Sequence, residues 1–441
     1  MATTPPAVES RLTAIVTDLD SEAIGEPTTK AVERAFVDTV GVTLASFSTE
    51  VGRSVSRWLP DGGLVALAGR ADPEHALALG AAGHALDYDD LSWAIDGHPS
   101  VVLVPPILAL VGETDASGRE AIAAYVAGFE VMSTVAAPIS PDHYETGWHA
   151  TATFGAFGAA AVAAWLLDLA PEETRNALCI AASTPAGLKR NFGSMTKPMH
   201  AGFAARSGLT AALLASDGVT ADAEAIGGEG GFLDLYGRPH EVEPSEGWYI
   251  DERGIHTKAY PCCYFTHTAI AATQSLAAQH GISPTEVEAI TVEASRGAAD
   301  ALAHSDPETG LEAKFSMEYA VASALARDRV DLATFEEPAL SDPAVQRLRE
   351  RVTFRVEPDL AYDDHTATVR IESSAGSVER RQENPPGTHE DPLSESRRRA
   401  KFLDCATRTL ERERAERLYD DLGGFAEAGS IATLLDVSEA L

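Results

Sequence analysis

Residues 152–183 read ATFGAFGAAAVAAWLLDLAPEETRNALCIAAS and contain two successive helical patterns. Apolar residues recur at three- and four-residue spacing, and the PEETR segment places a proline and acidic residues at a helix start. Glycine and alanine occupy nearly every face of the first pattern, which predicts close packing inside a helical bundle. Similar patterns at 28–47 and 118–136 predict that this bundle takes up the first half of the chain.

The pattern changes after about residue 250. Segments 286–297, 351–360 and 364–381 alternate apolar and polar residues and are rich in Val, Ile and Thr, which predicts strands. Helical patterns lie between them, and helix returns near the carboxyl end. We therefore predict a mainly α protein with a large all-helical domain, formed by 1–250 and 396–441, and a smaller α+β domain at 251–395.

The composition excludes several classes of partner. The 441 residues carry a formal net charge of −33, so the surface repels nucleic acid and anionic membranes. Adaptation of the surface to high salt explains the acidity best. A cationic partner is the alternative, but no acidic tail or charge block supports it.

The cysteines and the apolar segments bear on location. Four cysteines in a chain of this length do not form a disulfide framework, and one adjacent pair (Cys262 and Cys263) does not complete a zinc or iron–sulfur site. The N-terminus lacks the basic and apolar regions of a signal peptide, and no apolar stretch is long enough to span a bilayer. These features predict a protein of the reducing cytoplasm.

Polar residues are concentrated in the stretch GHALDYDDLSWAIDGHPS at residues 83–100. Its chemistry-bearing side chains are His84, Asp87, Asp89, Asp90, Asp96 and His98. Aspartate and histidine at this spacing are suited to acid–base chemistry or to metal binding. A surface loop with helix-capping aspartates is the alternative interpretation.

Two further candidates stand at predicted helix starts. His149 opens a glycine- and alanine-rich helix, where the helix dipole disfavours the charged imidazole, so it is either a neutral base or donor or a core histidine. Lys197, one of only six lysines, lies in NFGSMTKPMHAGFAARSG at residues 191–208. Because Pro198 follows it, we predict that Lys197 occupies a constrained loop and binds a carboxylate, unless it extends to solvent.

The last two stretches are HTKAYPCCYFTH at 256–267 and AKFSMEYAVASAL at 313–325. They offer Lys258, Tyr260, Cys262, Cys263, His267, Lys314, Ser316 and Tyr319. A cysteine–histidine nucleophile is conceivable here, although adjacent cysteines are more often packing residues. Four of the six lysines (189, 197, 258 and 314) fall in or beside the polar stretches.

Seven segments together resemble the MmgE/PrpD family of 2-methylcitrate dehydratases, cis-aconitate decarboxylases and iminodisuccinate epimerase. In chain order they are FVDTVGVTLAS, GHALDYDD with HPS, GWHATATFGAFGAAA, NFGSMTKPMHAGFAARSGLTAALLASDGVTA, KAYPCCYFTH, KFSMEYAVASAL and PPGTHEDPLSESRRRAKF. The resemblance implies a homodimer with a large helical domain, built from both chain ends, and a smaller α+β lid.

The resemblance also implies an active site between the two domains, without metal or cofactor, for a small di- or tricarboxylate. By motif match its residues are Asp87, His98, His149, Lys197, Lys258 and Tyr319. One departure concerns the residue after the Asp-Asp pair, where the family commonly has a hydroxyl. Leu91 stands there and Ser92 follows, which predicts a lost or shifted contact to substrate.

The implied chemistry is proton transfer next to a carboxylate. Lys197 and Lys258 would stabilise the charge that develops, while a histidine or Asp87 takes the proton and a second group protonates the departing hydroxyl. We expect a cofactor-independent hydro-lyase acting on 2-methylcitrate or a similar hydroxy-polycarboxylate. Decarboxylation of cis-aconitate and epimerisation remain open, as do a non-catalytic metabolite-binding homologue and a cysteine hydrolase using Cys263 and His267.

Overall fold

The protein was analysed as a computed structural model that describes residues 7–58, 71–242 and 247–432. Parts of the predicted helical domain (1–6, 59–70, 243–246 and 433–441) lie outside these ranges, including half of the segment on which the signal-peptide expectation rests. Twelve α-helices precede the sheet region among the described residues. They are α1 Val8–Thr17, α2 Glu26–Ser46, α3 Glu50–Trp58, α4 Pro73–His84, α5 Ser100–Thr114, α6 Gly118–Ala136, α7 Asp142–Glu145, α8 Ala150–Leu166, α9 Pro171–Ala181, α10 Thr196–Ser216, α11 Phe232–Tyr236 and α12 Tyr249–Glu252.

Helix α8 lies in the middle of this bundle, as its composition predicts. Its residues from Ala150 to Ala164 are all buried, and α5, α6, α9 and α10 pack around it. The approach of α10 is so close that a Cβ added to Gly208 would lie 2.4 Å from the Cβ of Ala159. The small residues of α8 and α10 therefore bring the polar ends of these helices, which carry His149 and Lys197, close together.

The second region combines six helices with one small sheet. Its elements are α13 His267–His280, β1 Val287–Ala294, α14 Arg296–Ala301, α15 Gly310–Ala313, α16 Met317–Ala326, α17 Glu337–Leu340, α18 Pro343–Arg349, β2 Val352–Val356, β3 Ala367–Ser373 and β4 Gly376–Gln382. The strand order is β2-β1-β3-β4, with β1 parallel to β2 and the other neighbours antiparallel.

The alternating pattern of β1 buries one face of this sheet. Ile290 and Val292 are buried and pair with Ile371 and Val369 of β3. They form part of a hydrophobic core of their own together with residues of α13 and α16. We call this region, residues 256–393, the lid, and the helical remainder the body.

Two helices follow the lid, α19 Glu395–Ala406 and α20 Arg412–Leu422. They pack on α2, where the ring of Phe402 lies against Gly41 so closely that an added Cβ would be 2.7 Å from it. Phe402 and Leu418 belong to the same hydrophobic core as the first helices. Both ends of the described chain thus build the body, and the mainly α fold with a small α+β part is confirmed.

No helix in the described ranges has both the length and the apolar character needed to cross a bilayer.

Candidate active site

A cavity that is partly open to solvent lies between the body and the lid. The polar stretch at 83–100, the start of α8 and the start of α10 line it on the body side. The lid contributes the segment at 258–265 and the loop before β3. Its lining residues are Asp87, Leu91, Trp93, Asp96, Gly97, His98, Pro141, Tyr144, His149, Phe192, Lys197, Lys258, Cys263, Tyr264, Phe265, Phe315, Tyr362, Asp363 and His365.

Asp87 is the centre of charge in this cavity. Its Oδ1 atom lies 2.5 Å from Lys197 Nζ and 3.1 Å from Lys258 Nζ, and all three side chains are at most 5% exposed. Burial alone raises the pKa of Asp87, but the two ammonium groups outweigh it and hold this pKa well below its usual range. The site therefore contains a buried carboxylate that is ionised and two cations that share it.

Three lysines also bind backbone carbonyls of the segment 86–88, which contains Asp87. We call these lysines the lysine clasp. Lys314 Nζ donates to the carbonyl of Leu86, Lys258 Nζ to that of Asp87 and Lys401 Nζ to that of Tyr88, at 2.6, 2.9 and 2.8 Å. Asp87 has a positive φ of 51°, a conformation that L-residues seldom adopt without support. Three successive carbonyls are thus held by lysines from the lid and from the C-terminal helix α19.

Lys314 also joins the two halves of the molecule. Besides Leu86 in the body, its ammonium group donates to the carbonyl of Pro261 in the lid at 2.6 Å. Burial lowers the pKa of Lys314 to about 8, against the opposing effect of Asp87. The clasp therefore fixes the lid segment that carries Lys258 relative to the segment that carries Asp87.

Asp89 orients two imidazoles. Its Oδ2 atom lies 2.8 Å from His84 Nδ1 and 3.0 Å from His98 Nδ1, which also lies 2.7 Å from the carbonyl of Asp90. Burial lowers the pKa of His84 to about 3 and also lowers that of His98, so both rings are neutral near pH 7. Since oxygen atoms hold Nδ1–H of His98, its Nε2 carries the free lone pair on the lining of the cavity.

His149 is the N-cap residue of α8, as predicted from its place in the sequence. Its Nδ1 atom lies 3.0 Å from Nδ1 of His200, so one ring donates and the other accepts. Burial, reinforced by the charge of Lys197, lowers the pKa of His149 well below its usual value. The neutral pair can pass a proton between the cavity and a second buried ring.

One group of side chains in the described part of the chain has the spacing of a metal site. It consists of His84, Asp89 and His98, whose ligand atoms lie within 4.8 Å of one another. The distances of 2.8 and 3.0 Å fit N–H···O hydrogen bonds between them. An ion would first have to displace these protons, because metal ligands bind in the deprotonated form.

The prediction that Lys197 precedes its helix is wrong. Lys197 and Pro198 both lie in the first turn of α10, and Lys197 N–H donates to the carbonyl of Ser194 at 3.2 Å. A proline is tolerated there because first-turn amides lack intrahelical acceptors. Lys197 therefore reaches Asp87 from the first turn of a helix and not from a loop.

The structure brings five of the six predicted site residues to the cavity and leaves the sixth outside it. Asp87, His98, His149, Lys197 and Lys258 line the cavity. Tyr319 is fully buried in α16 of the lid, where its hydroxyl donates to the carbonyl of Thr334 at 2.6 Å and does not line the cavity.

The cysteine stretch shows no nucleophile pair. His267 Nε2 lies 3.2 Å from the backbone carbonyl of Cys262, and Cys262 Sγ lies 3.1 Å from the hydroxyl of Thr266. Burial raises the pKa of Cys263 to about 11, so this thiol stays protonated near neutral pH. The geometry therefore gives no support to the cysteine hydrolase interpretation.

Neither of the two residues after the Asp-Asp pair, Leu91 and Ser92, offers a polar side chain to the cavity. Leu91 lines the cavity, and its backbone pairs with that of His256 in both directions, at 3.0 and 2.8 Å. The hydroxyl of Ser92 donates to the carbonyl of Gly254 at 2.7 Å. The position after the pair thus presents an apolar surface to the ligand.

Comparison with known proteins identifies the family. The MmgE/PrpD N-terminal domain matches residues 10–245, and the MmgE/PrpD C-terminal domain matches residues 260–421. The chain belongs to the MmgE/PrpD family. The predicted family assignment is thereby confirmed, and Lys258 lies in the short interval between the two matched segments.

Full-length relatives of this MmgE/PrpD protein include a cis-aconitate decarboxylase-like protein of Aspergillus oryzae, 27% identical over 98% of this chain and 96% of the relative. The cis-aconitate decarboxylase of Homo sapiens is 25% identical over 93% of this chain and 92% of its own. A 2-methylcitrate dehydratase of Cupriavidus necator is 26% identical over 49% of this chain and 47% of its own. These relatives are lyases of small carboxylates, by name.

Proposed function

We propose that the protein is a cofactor-independent lyase that removes water from 2-methylcitrate or a similar small hydroxy-polycarboxylate. One observation carries this proposal. Two buried ammonium groups, those of Lys197 and Lys258, converge beside the neutral, oriented imidazole of His98 in one cavity. This set supplies an anion clamp and a base, which are the two requirements for removing a proton next to a carboxylate.

The lysines would bind the carboxylate next to the reacting carbon. An ammonium group has three donors, and Lys197 uses one of them on Asp87. When the proton leaves, negative charge spreads onto the carboxylate oxygens, and the fixed cations stabilise it more strongly than they stabilise the ground state. Asp87 keeps both ammonium groups in place before the substrate arrives.

His98 is the best base in this arrangement. Asp89 fixes its tautomer, and its free Nε2 would accept the proton from the carbon. Asp87 is the weaker candidate because its two lysines hold its pKa low. A second group in the cavity would give a proton to the departing hydroxyl, so that a carbon–carbon double bond forms, the carbon–oxygen bond breaks and water leaves.

Decarboxylation of cis-aconitate is the second candidate, and the names of the full-length relatives favour it. In that reaction the bond to the carboxylate breaks, carbon dioxide leaves, and a proton donor in the cavity protonates the carbon. The same clamp would stabilise the charged intermediate. Epimerisation would need a base on one face of the carbon and an acid on the other.

A substrate panel followed by proton NMR tests the proposal. We would incubate the protein with 2-methylcitrate, citrate, cis-aconitate and iminodisuccinate, at low and at molar salt, with EDTA. Water loss creates a new double bond, decarboxylation removes a carboxylate, and epimerisation in deuterated water exchanges one proton. Absence of turnover for all four would refute the catalytic proposal and leave the metabolite-binding alternative, and inhibition by EDTA would contradict a metal-free reaction.

We further propose that the protein is a homodimer of the cytoplasm. Its four cysteines are all free and buried, in keeping with a reducing compartment. Light scattering coupled to size-exclusion chromatography measures the assembly. A monomer mass with full activity would refute the dimer.

A further inference from the structure

A second group of lining side chains consists of rings, and we call it the aromatic wall. It comprises Trp93 from the body and Tyr264, Phe265 and His365 from the lid. The ring centroid of His365 lies 5.5 Å from that of Trp93, 5.1 Å from that of Tyr264 and 4.9 Å from that of Phe265. The wall is a continuous surface of packed rings within the same cavity as the lysines.

Three polar atoms of this wall have no hydrogen-bond partner among the described residues. They are Trp93 Nε1, the hydroxyl oxygen of Tyr264 and His365 Nδ1. Tyr264 is only 5% exposed, so solvent does not compensate. A buried polar group without a partner costs about 1–3 kcal/mol. A ligand that places an acceptor here would recover that cost, and the indole N–H can bind nothing but an acceptor.

The charged side chains that line the cavity beside the wall are acidic, although Arg253 and Lys189 also act on Asp96 from outside the lining. Asp96 and Asp363 line the cavity, whereas its lining contains no lysine or arginine other than Lys197 and Lys258 within the described ranges. Burial, together with the charge of Asp363, raises the pKa of Asp96 to about 7. Burial lowers the pKa of His365 to about 4, so this ring supplies no positive charge at neutral pH. The wall can therefore bind an acceptor but opposes an additional carboxylate.

We infer that the aromatic wall selects substrates whose arm away from the lysines is uncharged, flat or apolar, and carries a hydrogen-bond acceptor such as an amide or ketone oxygen. The inference rests on the proposed function and narrows its substrates to hydroxy-polycarboxylates that keep two carboxylates and have a neutral third arm, which disfavours the tricarboxylates 2-methylcitrate and cis-aconitate themselves. Leu91, directly after the Asp-Asp pair, adds to the apolar surface. Trp93 and Tyr264 are the specificity-determining donors.

The test compares acids with amides of the same shape. Calorimetry at pH 8 would measure the binding of 2-methylcitrate and cis-aconitate, and of their monoamides in which one terminal carboxylate is a carboxamide. Each amide of the correct arm should bind at least tenfold more tightly than its parent acid. Trp93→Phe keeps a ring but removes the N–H, and should weaken amide binding about tenfold. Asp96→Asn should strengthen acid binding several-fold because it removes a like charge.

Matched variants control for unrelated effects. Trp165→Phe removes an indole N–H at the far end of α8, and Asp115→Asn changes an exposed aspartate whose positive φ of 49° is close to the 47° of Asp96. Neither should alter binding. Parent acids that bind as tightly as every amide, with Asp96→Asn unchanged, would overturn the inference even if they are turned over. Preference for an amide without turnover of any compound would instead overturn the proposed lyase, and absence of all binding would overturn both.

Discussion

Replacing Lys197 by methionine should separate the structural and chemical roles of the buried lysines. The variant leaves Asp87, which is 3% exposed, with only Lys258 at 3.1 Å from its Oδ1. Removing one partner of a buried ion pair costs about 3–5 kcal/mol, and the remaining lysine places the loss near the lower value of about 3 kcal/mol. Urea unfolding followed by circular dichroism measures this loss.

The effect of Lys197→Met on catalysis should be larger than its effect on folding. Loss of one group that stabilises developing charge lowers kcat by about 100- to 1,000-fold. The double variant Asp87→Asn/Lys197→Met no longer contains the underpaired carboxylate, so it should regain most of the stability and none of the activity. Steady-state kinetics on the substrate found by the NMR panel measures the activity.

Lys30 provides the matched control for activity because its side chain is 51% exposed and does not line the cavity, although its partner Glu33 is buried. Lys30→Met should leave kcat/KM unchanged. Full kcat/KM in Lys197→Met would refute the role of this lysine in binding the substrate carboxylate. Recovery of activity in the double variant would show that Lys197 acts only by neutralising Asp87.

Three further outcomes are expected. Because burial lowers the pKa of Lys314 to about 8, below its usual 10.5, the unfolded chain binds more protons between these values. Lys314 should therefore stabilise the fold increasingly as the pH rises from 8 to 10.5, whereas buried thiols with raised pKa values, such as that of Cys263, act in the opposite direction above pH 9. The stability of the protein relative to Lys314→Met, which lacks the donor to Leu86 and Pro261, should grow over this range in urea unfolding, and a constant difference would contradict the assignment. Because burial lowers the pKa of His98, kcat/KM should stay high down to pH 6.5 and fall only below it, and a fall centred above pH 6.5 would exclude His98 as the base. Since burial raises the pKa of Cys263 to about 11, iodoacetamide at pH 7.5 should leave activity unchanged, and inactivation that follows alkylation of this residue would revive the cysteine hydrolase.

The fold could be predicted in outline because its determinants are local. The small residues of α8 and the alternation in β1 each specify their element within a single segment. The exception is Lys197, where the preference of a residue before proline for extended backbone was outweighed by the packing of the first turn of α10.

The candidate site could be predicted only where its parts are close in sequence. Asp87, Asp89 and His98 all belong to the short stretch at 83–100, so the sequence itself indicates that they lie close together. In the lysine clasp, Lys314 binds Leu86 across 228 positions of the chain, and Lys401 binds Tyr88 across 313. No local sequence pattern indicates such contacts. The aromatic wall was not predicted either. In a sequence, a ring such as that of Trp93 indicates a hydrophobic core, and only the structure shows the cavity beside it.

The lysine clasp has a consequence for chemical labelling. Four of the chain's six lysines (197, 258, 314 and 401) are at most 5% exposed around one short segment, while Lys30 is open to solvent. An amine-reactive reagent can therefore modify Lys258 and Lys314, lid residues whose ammonium groups bind the body, only when the lid separates from the body. The number of acylated lysines per molecule, counted over time by mass spectrometry, would report the rate at which the cavity opens, with Lys30 as an internal standard for reagent reactivity.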